Sequence, residues 1–139
     1  MELEWYNNLN GKIISLQSHH GKYVVSEANG AANANRDAVG PWEKWRVENL
    51  GNFKVALKSH FNKYLVAESN GAANANRQNR GPWEIFTIEF LSAHHVALKS
   101  HHGKYLVAEP NGHLNANRAN RGPWEIFTIK IQGTIFSGK

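Results

Sequence analysis

Short runs of alternating apolar and polar residues recur along the chain, with turn residues between them. A run such as VALKS leads into a turn, HHGK or HFNK, and then into a second run, KYLVAE or KYVVSE. An Asn-Gly pair follows, then a polar stretch ending in NANR, a Gly-Pro pair and a last run, WEIFTI or WEKWRV. This alternation, with Gly and Asn at the turns, predicts β-hairpins. No segment has the apolar stripe of a helix, so we predict none.

The whole pattern repeats every 41 residues, and residues 41 apart are called counterparts below. The copies are residues 14–47, 55–88 and 96–129; the second and third agree at 28 of 34 positions, and the first and second at 19. A repeat of this length determines how the whole fold is interpreted. Much of the shared sequence is polar, which a hydrophobic core does not require, so the repeat bears on function as well.

Four strands in each of three copies predict about a dozen strands. A propeller blade also has four strands, but propellers typically carry about four blades or more. Three four-stranded units are instead typical of a β-trefoil, a six-stranded barrel capped by three hairpins. We therefore predict an all-β chain, a β-trefoil with pseudo-threefold symmetry, forming one domain over residues 1–139. Its repeats would span about 12–52, 53–93 and 94–136.

The two ends of the chain are also apolar and alternating. We expect them to pair as the seam of the barrel, where they would protect edge strands. These residues are Leu3, Trp5, Tyr6, Ile131, Ile135 and Phe136.

Composition narrows the function classes. There is no cysteine, which excludes a disulfide scaffold and a thiolate metal site. The net charge of +5 is scattered, which favours weak attraction to acidic partners over a dedicated basic block. No apolar run reaches transmembrane length. The start, MELEWYNN, lacks the features of a signal peptide and of an N-myristoylation motif, so we expect a cytoplasmic protein.

Residues 99–118, KSHHGKYLVAEPNGHLNANR, resemble the fascin and hisactophilin family of β-trefoils. The shared pattern is an apolar-x-Leu run, a basic residue, Ser-His, Gly, a basic residue and Tyr-Leu, followed by a small-residue hairpin. LNANR followed by WEIFTI also resembles the second half of a fascin unit. The resemblance covers nearly the whole chain and implies a cytoskeletal protein that binds actin filaments. The resemblance also implies that fascin has four β-trefoils and hisactophilin one, so bundling by the single β-trefoil predicted here would require two faces or self-association.

Catalytic and metal chemistry find little support in the sequence. Adjacent histidines on a strand point to opposite faces, and no carboxylate is spaced to complete a metal site. We expect the first histidine of each turn, His19, His60 or His101, to hydrogen-bond backbone and fix the hairpin. The carboxylates kept in all copies are related by the repeat, so no asymmetric acid–base pair stands out. We predict a non-enzymatic protein without a cofactor or a metal.

The segment NANR-x-x-x-GPWE offers the most promising ligand chemistry. Planar amides, a forked guanidinium and a carboxylate beside Trp42, Trp83 or Trp124 suit a sugar, whose hydroxyls take paired hydrogen bonds and whose C–H face stacks on a ring. A structural role is the alternative, because Asn satisfies turns, Arg and Glu can join strands, and Trp can close the barrel. The candidate ligand-binding residues are Asn35, Arg36, Glu43, Asn76, Arg77, Asn79, Glu84, Asn117, Arg118, Asn120 and Glu125.

The first copy departs from the others inside this segment. Asn79-Arg80 and Asn120-Arg121 have Ala38-Val39 as their counterpart, while Gly-Pro-Trp-Glu persists in all three copies. If the repeat binds a ligand, this predicts two good sites and one weakened site.

Two functions remain open. The first is binding, with cross-linking, of actin filaments through basic loops. The second is a multivalent, carbohydrate-binding lectin with two or three equivalent sites on the NANR rim, although the ricin-type Q-x-W signature is absent. No specific nucleic-acid binding is expected, since clustered aromatics with Lys and Arg are not evident. Both functions are compatible with an oligomer.

Overall fold

The computed structural model describes residues 1–134. Within them, a short helix, α1 (Glu2–Asn8), precedes twelve strands, and 3-10 helices lie at Pro41–Glu43, Pro82–Glu84 and Pro123–Glu125. The strands are β1 (Lys12–Gln17), β2 (Tyr23–Ser26), β3 (Ala32–Arg36), β4 (Trp45–Gly51), β5 (Lys54–Lys58), β6 (Tyr64–Ala67), β7 (Ala73–Arg77), β8 (Phe86–Phe90), β9 (His95–Lys99), β10 (Tyr105–Ala108), β11 (Leu114–Arg118) and β12 (Phe127–Thr134).

Six of the strands form a closed barrel. They pair antiparallel in the order β1, β4, β5, β8, β9 and β12, and β12 pairs back with β1. The other six form three hairpins, β2–β3, β6–β7 and β10–β11. The all-β prediction is confirmed, and the arrangement is β-trefoil-like.

The barrel interior is filled by large apolar side chains. Trp45, Phe86 and Phe127 occupy corresponding positions and are fully buried. Ten apolar residues enclose a residual cavity of only about 10 Å³, at the lower limit for one water molecule. Ligand chemistry must therefore lie on the outer surface and not inside the barrel.

The three hairpins meet each other at one end of the barrel through their Asn-Gly turns. In each turn the glycine carbonyl accepts a hydrogen bond from an alanine amide of the neighbouring hairpin. The three bonds, all with an N···O distance of 2.8 Å, run from Ala34 to Gly112, from Ala75 to Gly30 and from Ala116 to Gly71.

Glycine is required in these turns for two reasons. Gly71 has φ +94°, which L side chains rarely adopt, and a Cβ added there would lie 2.8 Å from the Cβ of Asn117. Asn70 completes the turn, because its Oδ1 accepts a hydrogen bond from the amide of Ala72 at 3.0 Å. The Asn-Gly pairs thus form the hairpin turns that the sequence predicts and also permit the close contact between hairpins.

The prediction for the chain ends was wrong at the N-terminus. Leu3, Trp5 and Tyr6 lie in helix α1 and not in a strand. The helix is stabilised because it buries Tyr6 in the hydrophobic core, where the side chain is 1% exposed and its hydroxyl donates to the carbonyl of Lys54 at 2.7 Å. The seam of the barrel is the β1–β12 pair, in which Ile131 lies opposite Ile14.

The expected seam also included Ile135 and Phe136, which lie outside the described residues. The expectation that the chain has no helix was likewise wrong, at α1 and at the three 3-10 helices.

Candidate functional site

Each NANR strand is held by a largely buried glutamate to which the sequence pattern assigned no role. Glu109 accepts hydrogen bonds from Arg118 Nη2 on Oε1 at 2.7 Å and from Asn115 Nδ2 on Oε2 at 3.1 Å. Glu27 and Glu68 make the same two contacts with their own Arg and Asn. Each hairpin therefore carries a closed Arg–Glu–Asn cluster, which ties the NANR strand to the strand before it.

The arginines of the rim are largely engaged within this cluster. Arg77 uses Nη2 for Glu68 and Nη1 for the Oδ1 of Asn76, both at 2.6 Å. Arg36 and Arg118 contact Asn35 and Asn117 in the same way. The exposed part of the rim is the amide of these asparagines, whose nitrogen donates to no residue in the described part of the chain.

The third member of the predicted site, the Glu of the WE pair, is buried. Glu84 is 6% exposed, and its Oε1 accepts a hydrogen bond from the amide of Gly81 at 2.6 Å. This bond caps the 3-10 helix Pro82–Glu84, and Glu43 and Glu125 do the same in the other two copies. Glu43 and Glu84 lie 4.0 Å from the Nε of Arg36 and of Arg77. All three carboxylates are buried and leave little surface for a ligand.

The Asn-Arg pair that distinguishes the second and third copies has a partner outside the hairpin. Arg121 Nη1 bonds Glu89 Oε1 at 2.6 Å, and the same carboxylate accepts the hydroxyl of Tyr105 at 2.9 Å. Arg80 and Tyr64 contact Glu48 in the same manner. Burial, followed by the hydrogen bond and the charge of the carboxylate, raises the pKa of both tyrosines above the usual 10.0.

This contact explains why the first copy differs. The counterpart of Glu48 and Glu89 is Lys130, and the counterpart of Arg80 and Arg121 is Val39. An arginine there would meet a lysine and not a carboxylate, so the two positions change together. Asn79 and Asn120, by contrast, are exposed and donate to no described residue. The loss of the arginine in the first copy therefore has a structural cause, whereas no contact explains the loss of the asparagine.

The tryptophans pack against the turn of the next unit in space. The ring of Trp124 lies 5.2 Å from His20, that of Trp83 lies 5.0 Å from His102, and that of Trp42 contacts Phe61. These rings are half-buried and meet edge to face. Each tryptophan proposed for sugar stacking thus has a neighbouring ring packed against it.

The expectation for the turn histidines was wrong in detail. The turn is fixed by serine: Ser100 Oγ accepts from the amides of His102 and Lys104, and Ser18 and Ser59 do the same. The second histidine, not the first, contacts backbone, with His102 Nε2 3.1 Å from the carbonyl oxygen of Ala67. The first histidines, His19, His60 and His101, are exposed. No metal-ligating cluster occurs within residues 1–134.

A groove that the sequence analysis missed lies between the first two copies. Lys44, which precedes β4, and Arg46 of β4 line it together with His60 and Asn62 of the turn after β5, around a volume of about 330 Å³. Of the six arginines in the chain, Arg46 is the one that forms no ion pair with a carboxylate of the described residues. The signal in the sequence was the departure of WEKWRV from WEIFTI.

Comparison with known proteins gives one result that identifies the family. Residues 49–129 match the model of the Fascin domain, which is more than half of the chain. None of the curated proteins matches the chain significantly. No helix in the described part of the chain is long and apolar enough to cross a membrane. From the match over residues 49–129, with the closed six-stranded barrel and its hairpin cap, we conclude that the chain belongs to the Fascin-domain family.

Proposed function

We propose that this protein is a non-enzymatic binding protein that attaches to actin filaments and acts in the cytoplasm. The observation that carries the proposal is the Fascin-domain match, because that family suggests actin as a partner and is non-enzymatic in general. The proposal includes the fold at full detail: one β-trefoil domain over residues 1–139, built from three 41-residue repeats with pseudo-threefold symmetry. The recurrence of the Arg–Glu–Asn cluster and the Gly–Ala hydrogen bonds at 41-residue intervals supports it.

The distribution of charge supports an acidic partner. Most carboxylates lie within ion pairs or caps of the protein itself, as in Glu48, Glu68 and Glu84. Lys54 and Lys104 are exposed, and neither forms an ion pair with a described residue. Because each ion pair removes a cation together with a carboxylate, the surface that an approaching filament meets keeps the positive sign of the net charge of +5.

Cross-linking requires two filament contacts on one particle. A single domain would provide them through repeated loops on different sides, or through self-association. We propose the first route, since counterpart loops occur three times around the barrel.

High-speed co-sedimentation with actin filaments over a series of salt concentrations tests binding. We expect saturable pelleting that weakens as salt rises, because exposed charges beyond a Debye length are screened. Low-speed pelleting and electron microscopy then test cross-linking. A protein that stays in the supernatant at the lowest ionic strength contradicts the proposal.

The lectin alternative gains no support from the contacts. Its guanidinium groups are engaged by Glu27, Glu68 and Glu109, and its second carboxylate is buried. The ligand-binding residues predicted from the sequence stay a prediction, and a glycan array with Arg118→Ala as control is their test. Saturable glycan binding that Arg118→Ala abolishes would favour the lectin over the actin-binding protein.

A further inference from the structure

We call the groove formed by Lys44, Arg46, His60 and Asn62 the cationic groove. It contains residues, from two different copies, that differ from their counterparts in the repeat. Its walls are the 3-10 helix Pro41–Glu43 with the start of β4, and the turn that joins β5 to β6. None of the residues that line it belongs to a NANR stretch or to an Arg–Glu–Asn cluster.

The substitutions that create this groove are absent from its counterparts. Where the first copy has Lys44 and Arg46, the second has Ile85 and Thr87, and the third has Ile126 and Thr128. A corresponding groove of about 370 Å³, between the third copy and the first, contains no Lys or Arg among its lining residues. The shared frame therefore does not require the two cations.

The opposite wall has changed in a matching way. Asn62 replaces the glycine found at the counterpart positions Gly21 and Gly103, and it keeps their positive φ, at 62°. Asn tolerates this conformation better than most residues. Its Oδ1 accepts a hydrogen bond from Arg46 Nη2, which also lies 3.4 Å from the carbonyl oxygen of Ser59. Two repeats have thus acquired residues that meet and fix one guanidinium.

Arg46 remains available to a ligand after these contacts. Both of its side-chain hydrogen bonds within residues 1–134 are made by Nη2, so Nε and Nη1 donate to no residue there. The other five arginines each reach a carboxylate. A guanidinium held by neutral acceptors keeps its full charge for an anion.

The two carboxylates closest in sequence to Lys44 and Arg46 make their contacts elsewhere. Glu43 is buried and caps the amide of Gly40. Glu48, two residues beyond Arg46, is engaged by Arg80 and Tyr64. Across the strand pair, Arg46 lies opposite another cation, Lys58.

We propose that the cationic groove binds a tetrahedral oxyanion, namely a phosphate or sulfate ester on a small molecule. An ammonium, a forked guanidinium and an imidazole N–H provide donors for three oxygens, one more than a carboxylate presents. The fixed position of Arg46 lowers the ordering cost of binding. This site is independent of the proposed binding to actin filaments.

Titration by two-dimensional NMR tests the proposal, with inorganic phosphate and inorganic sulfate as probes. We expect saturable shifts centred on Lys44, Arg46, His60 and Asn62. O-phosphoserine and a sulfated monosaccharide then distinguish the two sources of the oxyanion. Binding of either ester more tightly than of the free ion supports the site and identifies the source, whereas no binding of either overturns it.

The repeat itself provides a matched variant. Lys44→Ile with Arg46→Thr installs residues that the same frame already holds at the counterpart positions, so folding should be preserved. We expect binding to weaken by about tenfold or more, the loss typical of removing hydrogen bonds between charged groups. The control, Lys54→Ile with Lys104→Gln, removes the same charge elsewhere and should leave affinity unchanged. Equal weakening in both variants, or none in the first, overturns the proposal.

A second variant keeps the proposal testable if the double substitution prevents folding. Asn62→Gly restores the residue of the other two copies and releases Arg46 without changing the charge. We expect severalfold weaker binding because the guanidinium is no longer held in place. Unchanged affinity in this variant would contradict the role assigned to the Arg46–Asn62 contact.

Discussion

The contact between hairpins at Gly71 allows a quantitative prediction, because the chain contains a matched control. A Cβ at Gly71 would lie 2.8 Å from the Cβ of Asn117, closer than real Cβ atoms approach each other. Gly103 also has positive φ, +77° against +94°, but nothing lies within 4 Å of its Cβ position. Replacing each by alanine therefore imposes a similar backbone cost and differs in the steric one.

The expected difference in stability between the two variants follows from the backbone cost and the steric cost. An alanine forced to positive φ costs about 1–2 kcal/mol, partly offset by the reduced entropy of the unfolded chain. Overpacking adds about 1–3 kcal/mol at Gly71 alone. We expect Gly71→Ala to unfold at a lower temperature than Gly103→Ala by about 4–12 °C, at roughly 4 °C per kcal/mol for a domain of this size.

Urea denaturation and calorimetry of the two variants measure this difference. Gly103→Asn serves as a further control, because Asn62 already occupies the counterpart position with positive φ. If Gly71→Ala and Gly103→Ala lose the same stability, the hairpins do not pack closely at Gly71. Gly30 and Gly112, with the same 2.8 Å approach, should behave like Gly71.

Three further predictions concern the carboxylates and the tyrosines. Glu48→Lys should lower the free energy of unfolding in urea by about 1–2 kcal/mol, after allowance for solvent screening, because Arg80 and Tyr64 lose their acceptor. Adding Arg80→Val, which reproduces the first copy, should recover part of this loss. No recovery would refute the coupling between the two positions. Since the folded pKa of Tyr64 is raised above 10.0, its contribution to stability should be complete below that pH and decline as the pH rises towards the folded value. Tyr64→Phe should flatten that decline in alkaline unfolding curves, and an unchanged slope would contradict the assignment. Glu84→Ala should destabilise by about 1–2 kcal/mol through loss of the cap, while Glu84→Gln, which keeps an acceptor oxygen, should lose less in thermal melts.

The strands and turns were predictable because their signals are local. Alternation in KYLVAE and the Asn-Gly pair at residues 70–71 specify a hairpin without reference to the rest of the chain. The number of copies then limits how the hairpins can assemble. The hydrogen bond from Ala116 to Gly71, by contrast, joins two hairpins and has no signal in either one.

The N-terminal helix was not predictable for the same reason. Leu3 and Trp5 alternate as a strand would, and seven residues are too few for a helical period to stand out. The conformation depends on the burial of Tyr6 against Lys54, which is 48 residues away in the sequence. A tertiary contact overrides a weak local pattern here.

The sequence indicated which polar residues are shared but not what they contact. The asparagines and arginines of the NANR stretch are constant in all copies, yet only the structure shows that Glu109 holds Arg118 and Asn115 together. A residue that is constant in all three copies can stabilise the fold as readily as it can form a binding site. Residues that depart from the repeat can also indicate a site. Arg46 and Asn62 both differ from their counterparts, but only the structure shows that they contact each other.

Co-sedimentation with actin filaments at low ionic strength decides whether this Fascin-domain protein binds actin. We expect saturable pelleting that declines as salt is added. We also expect Lys44→Ile with Arg46→Thr, which tests the separate oxyanion site, to pellet no less than Lys54→Ile with Lys104→Gln. Complete retention of the wild-type protein in the supernatant, at filament concentrations that pellet a known actin-binding control, would show that it does not bind filaments.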